Sequence, residues 1–170
     1  MTGENVIFAR GYVKPEPGSL CKSKDFNLRH FLCWRENQNR LLKTLDDWES
    51  YAAHFYNYKV CDDLPGIFDR DEKLDLASIW HIHLANTLDI QHLWARQKSQ
   101  YYRTTRLNDP DNDIWLIYAH DEYRDEYLLL TIVGPDAHNR KEWGSYLRTI
   151  HNQIVEPWLV GKLVYPDIDE

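Results

Sequence analysis

The stretch "DIWLIYAHDEYRDEYLLLTIV" (113–133) decides the fold. It holds two apolar runs, "DIWLIYA" (113–119) and "EYLLLTIV" (126–133), separated by the polar "HDEYRD". Each run has strand length and is rich in β-branched and aromatic residues. The linker between them is short, so the pair reads as an antiparallel hairpin in the middle of a sheet.

Downstream, "TIVGPDAHNRKEW" (131–143) ends the second run with Gly134-Pro135. Asp136 is then expected to N-cap a helix reaching about Val155, with Trp143, Leu147, Ile150 and Ile154 as its inner stripe and Pro157 as its end. Upstream, "IWHIHLA" (79–85) alternates, with Trp80, Ile82 and Leu84 on one face and Ile79, His81 and His83 on the other. That pattern predicts a half-buried strand with both imidazoles facing the same way. Residues 87–102 are expected to be helical. So are residues 36–58, where Leu41, Leu45, Trp48, Ala52, Phe55 and Tyr58 recur at helical spacing before the stop at Asp62, Asp63, Pro65 and Gly66. Residues 5–13 suggest a first strand, closed by the breaker "KPEPGS", and 19–35 read as loop or short helix. The expected class is α/β in the α+β sense: early helices, a mainly antiparallel sheet and a closing helix.

At 170 residues, with 43% of them apolar and 14% aromatic, the chain suits one domain with a real core and excludes broad disorder. No run of 18 apolar residues occurs, and "MTGENVIFAR" lacks signal-peptide order, so a cytoplasmic protein without membrane attachment is expected. Cys21, Cys33 and Cys61 are odd in number and without CxxC spacing, which suits reduced thiols. A net charge of −7 argues against a nucleic-acid coat or an anionic membrane partner. The charge is uneven, however. Residues 62–75 hold six acids and two bases, whereas "RQKSQYYRTTR" (96–106) holds four bases and no acid.

Three places are candidates for chemistry. His138, with Arg140 and Lys141 behind it, falls in the first turn of the expected helix, where free N–H groups favour an anion and an imidazole can move protons. The competing reading is a solvated surface turn. His81 and His83 share a strand face, a spacing found in metal sites, but no further cluster at ligand spacing accompanies them, so a polar strand face is preferred and no metal or cofactor is expected. Arg103 and Arg106, with Tyr101 and Tyr102, combine phosphate-binding cations with rings able to stack on a base; a solvated helix end has the same composition. GxSxG, GxxxxGK[ST], HExxH and GxGxxG patterns are all missing, which removes the corresponding enzyme classes.

Taken in order, "LPGIFDRD" (64–71), "HIHLAN" (81–86), "YRTT" (102–105), "WLIY" (115–118) and "YLLLTIVGPDAHNRK" (127–141) resemble the YafO-type toxins of toxin–antitoxin modules, over about Leu45 to Arg148. The resemblance implies a compact RelE-like ribonuclease whose curved sheet takes mRNA on the ribosome and cleaves it without a metal, by 2′-OH attack on the adjacent phosphorus. It assigns His138 as general acid or base, Arg103 to phosphate charge with Arg106 as its substitute, and His83 as a second proton-transfer group. His81 and Tyr102 become substrate contacts, and Arg140 and Lys141 grip the flanking backbone. It also implies a cognate antitoxin as partner, received on an apolar or edge-strand surface that includes the "VYP" of 164–166. On this division residues 1–44 are an N-terminal extension, 45–156 the toxin domain and 157–170 a tail. The acidic balance departs from the basic character of RelE-like toxins. It keeps open an alternative, a noncatalytic module that binds RNA, ribosome or protein.

Overall fold

The computed structural model describes residues 6–7, 31–33, 35–36, 51, 54–59, 63–74, 78–103 and 109–162. Among the described residues two sheets are formed. Strands β1 (Val6–Ile7) and β3 (Arg35–Glu36) pair antiparallel as a small ribbon. The main sheet has the order β2-β7-β6-β5-β4, built from β2 (Phe31–Cys33), β4 (Phe68–Lys73), β5 (Ile79–Leu84), β6 (Trp115–Asp121) and β7 (Glu126–Val133). Four of its strands are antiparallel in sequence, and β2 joins β7 in parallel.

The hairpin of β6 and β7 occupies the centre of this sheet, as its apolar runs predict. Both its faces are covered, which explains why the runs lack alternation. On one face Ile79, Trp115, Ile117, Ala119, Leu128, Leu130 and Val133 pack with Leu147, Ile150, Ile154, Val155 and Trp158 of the closing helical segment. On the other face Phe68, Ile82, Leu84, Leu116, Tyr118, Leu129 and Ile132 pack around Phe55, which belongs to α1 (residues 54–59). A bulge lies between the pairs Ile117–Thr131 and Tyr118–Leu129, leaving Leu130 without a partner across the ladder. The extra residue shifts the phase of β7 and carries Leu128, Leu130 and Val133 to the same face. At the hairpin tip Asp121 accepts the N–H groups of Tyr123 and Arg124, and Arg124 in turn donates to the Trp158 carbonyl. The turn is thereby tied to the far end of the closing segment.

The structure corrects several expectations. Residues 31–33 and 35–36 are strands, because an open edge of β7 and the backbone of β1 offer them ladder partners that local composition does not reveal. Residues 35–36 therefore do not begin a helix, though 51 and 54–59 are helical. The expected helix over 87–102 is shorter: α2 (Leu88–Ala95) is capped by Thr87, and a 3-10 turn follows at Gln100–Tyr102. Asp136 is not the N-cap of a helix reaching Val155, and its side chain makes no capping hydrogen bond. It adopts the left-handed conformation before a 3-10 turn, Ala137–Asn139, and α3 (Trp143–Ile150) begins only later. Pro157 does not end the closing segment either. A π turn, His151–Val155, widens the helix ahead of it, and α4 (Glu156–Leu159) continues past a proline that has no N–H to donate. The breaker at 14–19, Cys21, Cys61, Arg106 and residues 163–170 lie outside the described residues, as do residues 37–50 of the helix expected over 36–58.

Candidate active site

Antiparallel pairing brings the start of β4, the end of β5, the start of β6 and the end of β7 to one end of the sheet. Asp69, His83, Asp113 and His138 meet there. The turn after β7 is fixed onto the chain before β6. Gly134 has φ +153°, and a Cβ on it would lie 2.8 Å from Ile114 Cγ1 and 3.0 Å from the Asp113 carbonyl oxygen. Only glycine permits so close an approach. The Asp136 N–H then donates to the Pro110 carbonyl at 2.7 Å and the Ala137 N–H to that of Asp113 at 3.1 Å.

His138 is held twice by one carboxylate. Its backbone N–H donates to Asp113 Oδ2 at 2.6 Å, and its ring Nδ1 lies 2.7 Å from Asp113 Oδ1. An ionised carboxylate only accepts, so Nδ1 carries a proton, and in the neutral ring Nε2 keeps the lone pair. The ring itself is open to solvent, with 59% of its side chain exposed. Trp115 Nε1 also donates to Asp113 Oδ1, at 2.8 Å. Burial pushes the Asp113 carboxyl up, but the hydrogen bonds and charge of His138, with the indole N–H, outweigh it and hold this acid below its usual range.

A second pair stands behind the first. His83 Nδ1 lies 2.8 Å from Asp69 Oδ2, and the His83 backbone N–H donates to Asp69 Oδ1 at 2.8 Å. Burial raises the pKa of Asp69, and its contacts with His83 oppose the rise. His83 Nε2 faces Asp113 Oδ1 at 3.6 Å, too far for a hydrogen bond. The His83 and His138 rings stack with centroids 5.4 Å apart and planes inclined by 23°. The result is an alternating series of Asp69, His83, Asp113 and His138, running from the interior to the surface.

His81 is packed flat on Trp115, with centroids 4.0 Å apart, and Trp115 stacks in turn on Trp143. Burial, with smaller effects from neighbouring groups, lowers the His81 pKa to about 4, so the ring is neutral near pH 7. The alternation of β5 is as read from the sequence, but its histidine face does not look toward water. His81 is 6% exposed and His83 9%, with Trp115 packed against both rings and His138 stacked on His83.

The remaining candidates divide. Arg140 lies over the rings of Tyr146, at 3.9 Å, and Trp143, at 5.5 Å, two residues from His138. Lys141 and Tyr102 are exposed, Tyr102 by 74%. Arg103 is not brought to His138. It is 2% exposed, and its guanidinium donates to the carbonyls of Pro65, Phe68, Leu64 and Gln97 at 2.5, 2.6, 3.0 and 3.1 Å. It clamps the chain before β4 to the segment after α2. A basic residue beside tyrosines in a polar stretch gives no sign of that destination. Asp69 and Asp113 were not singled out from the sequence. Each resembles an ordinary turn acid until β-pairing sets it against an imidazole.

Among the described residues, two carboxylates and two imidazoles thus converge at one end of the sheet of this α+β chain. Its family can be given. The family model for toxin YafO of type II toxin–antitoxin systems matches residues 56–159, more than half of the 170-residue chain, and the protein belongs to that family. No curated protein and no solved structure matches it. Membership implies a cognate antitoxin as partner. Among the described residues no helix is long and apolar enough to cross a membrane.

Proposed function

We propose that this toxin is a ribosome-dependent mRNA endonuclease in which His138 is the proton acceptor. The observation that carries the reading is the exposed imidazole whose Nδ1 is tied to the buried Asp113 carboxylate, which leaves Nε2 free to act as a base. The ribose 2′-OH gives its proton to Nε2, the 2′-oxygen bonds to phosphorus, and the bond to the 5′-oxygen breaks. The 5′-oxygen takes a proton from solvent. The products are a 2′,3′-cyclic phosphate and a 5′-hydroxyl end, with no metal in the step. Asp113 fixes the tautomer and stabilises the imidazolium that forms.

His83 is a positioning residue in this scheme, since both its nitrogens face carboxylates. Arg140 and Lys141, on the chain just beyond His138, supply positive charge for the phosphate. Tyr102 offers an exposed ring for a base. His81 acts by packing against Trp115. Arg103 holds the scaffold, and the role of Arg106 as its substitute at phosphate remains part of the proposal. The cognate antitoxin silences the activity by covering this end of the sheet.

The buried placement of Arg103 and the net charge of −7 favour a second reading, a noncatalytic module that stops translation by binding. Incubation of the purified protein with a reporter mRNA, with and without translating ribosomes, distinguishes them. The nuclease reading expects new 5′-hydroxyl ends and cyclic phosphates only with ribosomes. Translation arrest with an intact message supports the binding module instead.

A further inference from the structure

We infer that His83, Asp113 and His138 form a site for a divalent transition-metal ion such as Zn2+, and that the ion silences the toxin by occupying the His138 imidazole. Among the described residues these three are the one group of histidine, cysteine and acid side chains whose ligand atoms converge, all within 4.8 Å of one another. They come from β5, the chain before β6 and the turn after β7, which the sheet and the Gly134 turn hold in register.

The second observation is a buried lone pair. Asp69 accepts from His83 Nδ1, so in the neutral ring Nε2 is the nitrogen that offers a lone pair. Nε2 is buried, has no hydrogen-bond partner among the described residues, and faces the Asp113 carboxylate at 3.6 Å. A lone pair set against a carboxylate inside a protein is unfavourable unless something positive lies between them. The arrangement of Asp69 on His83 is also the one that orients a metal-binding imidazole, a carboxylate holding the far ring nitrogen and raising the basicity of the near one.

Distances suit the ion. Two ligands at 2.0–2.1 Å from a tetrahedral Zn2+ stand about 3.3 Å apart. The His83–Asp113 pair, at 3.6 Å, is close to that already. The His138 ring, at 2.7 Å from Asp113, has to move outward, and as a largely exposed side chain it is free to do so. With three protein ligands, the fourth position is left to water. Two imidazoles and one carboxylate select zinc, cobalt or nickel over magnesium or calcium. Bound metal takes the Asp113 oxygen that holds His138 and engages the imidazole itself, which removes the proton acceptor. The silencing, though not the binding, rests on the nuclease reading above.

The test is titration of the purified full chain with Co2+ alone at neutral pH, following visible absorption and the fluorescence of Trp115, whose ring centroid is 4.7 Å from that of His138 and 5.7 Å from that of His83. The expected result is one equivalent of low-coordinate cobalt with quenched tryptophan emission, displaced by Zn2+. His138→Gln, a change at an exposed position, removes a ligand and is expected to weaken binding by roughly 100-fold or more, at or beyond the upper end of what altering a supporting group costs. Asp69→Asn is expected to weaken it about 10-fold. A featureless cobalt titration of the folded protein, or unchanged binding in His138→Gln, overturns the site. Metal bound at one equivalent while ribosome-dependent cleavage continues overturns the silencing alone. A protein that binds cobalt but cuts no message under a zinc-selective chelator retains the site and loses the nuclease reading.

Discussion

The Asp113 carboxylate accepts both the backbone N–H and the ring Nδ1 of His138, at 2.6 and 2.7 Å, and so fixes the position and the tautomer of the same residue. An exposed imidazole would otherwise rotate freely. Here only Nε2 is left to meet a substrate.

Asp113→Asn tests that pairing. Asparagine keeps the shape but removes the charge and offers a donor where the ring also donates. Cleavage is expected to fall about 100-fold or more, the ordinary share of general acid–base catalysis. The fold is expected to lose about 1–3 kcal/mol, because the Trp115 and His138 N–H groups lose their charged acceptor. Thermal melting with single-turnover cleavage of ribosome-bound message separates the two effects.

Arg103 is expected to matter for stability rather than for chemistry. Arg103→Gln leaves the Leu64, Pro65 and Phe68 carbonyls without their cation and is expected to cost about 2–3 kcal/mol, the scale of hydrogen bonds to charged groups. Urea unfolding measures the loss. A variant as stable as the wild type yet unable to cut would return Arg103 to the phosphate.

Gly134→Ala is expected to disturb the site from behind. The added methyl meets Ile114 and the Asp113 carbonyl, both backbone neighbours of the carboxylate that holds His138. Overpacking of this kind costs about 1–3 kcal/mol. The His138 ring should lose its fixed environment at the same time, visible as a change in its imidazole NMR signals.

The acid limb of stability should depend on Asp71. Its carboxylate accepts from Tyr58 and Tyr118 at 2.7 Å each and pairs with Lys59 at 2.5 Å. Burial pushes its pKa up, but Lys59 and the tyrosines outweigh burial and lower it. Lys59 is also lowered, because burial costs it more than one carboxylate returns; Asp71 has three donors, whereas Lys59 has one acceptor and the faces of nearby rings. For an acid depressed in the folded state, the contribution is complete above its unfolded pKa near 4 and is lost as pH falls through the lower folded value. Urea midpoints of wild type and Asp71→Asn should therefore differ at pH 7 and converge below about pH 4.

The apolar runs of β6 and β7 and the inner stripe of the closing helical segment were readable because burial on two faces leaves an unbroken apolar run and burial on one face a periodic trace. His138 was readable for a related reason, standing beside cations where a strand visibly stops. Its partners were not. Asp113, and Asp69 behind it on His83, stand 44 positions apart among other acids, and only the pairing of β4, β5 and β6 gives them meaning. Arg103 misled for the opposite reason, since its local neighbours suggest a surface and its carbonyl partners, Gln97 aside, lie far away in sequence. The edge strands at 31–33 and 35–36 were equally hidden, because they depend on what lies next to them.

The most direct measurement is 5′-end mapping of a translated reporter message after expression of wild type and of His138→Ala, at matched levels of folded protein. The proposed mechanism predicts new internal 5′ ends in the wild type that fall by about 100-fold in the variant. Ends of equal abundance in both would remove His138 from the chemistry and contradict it.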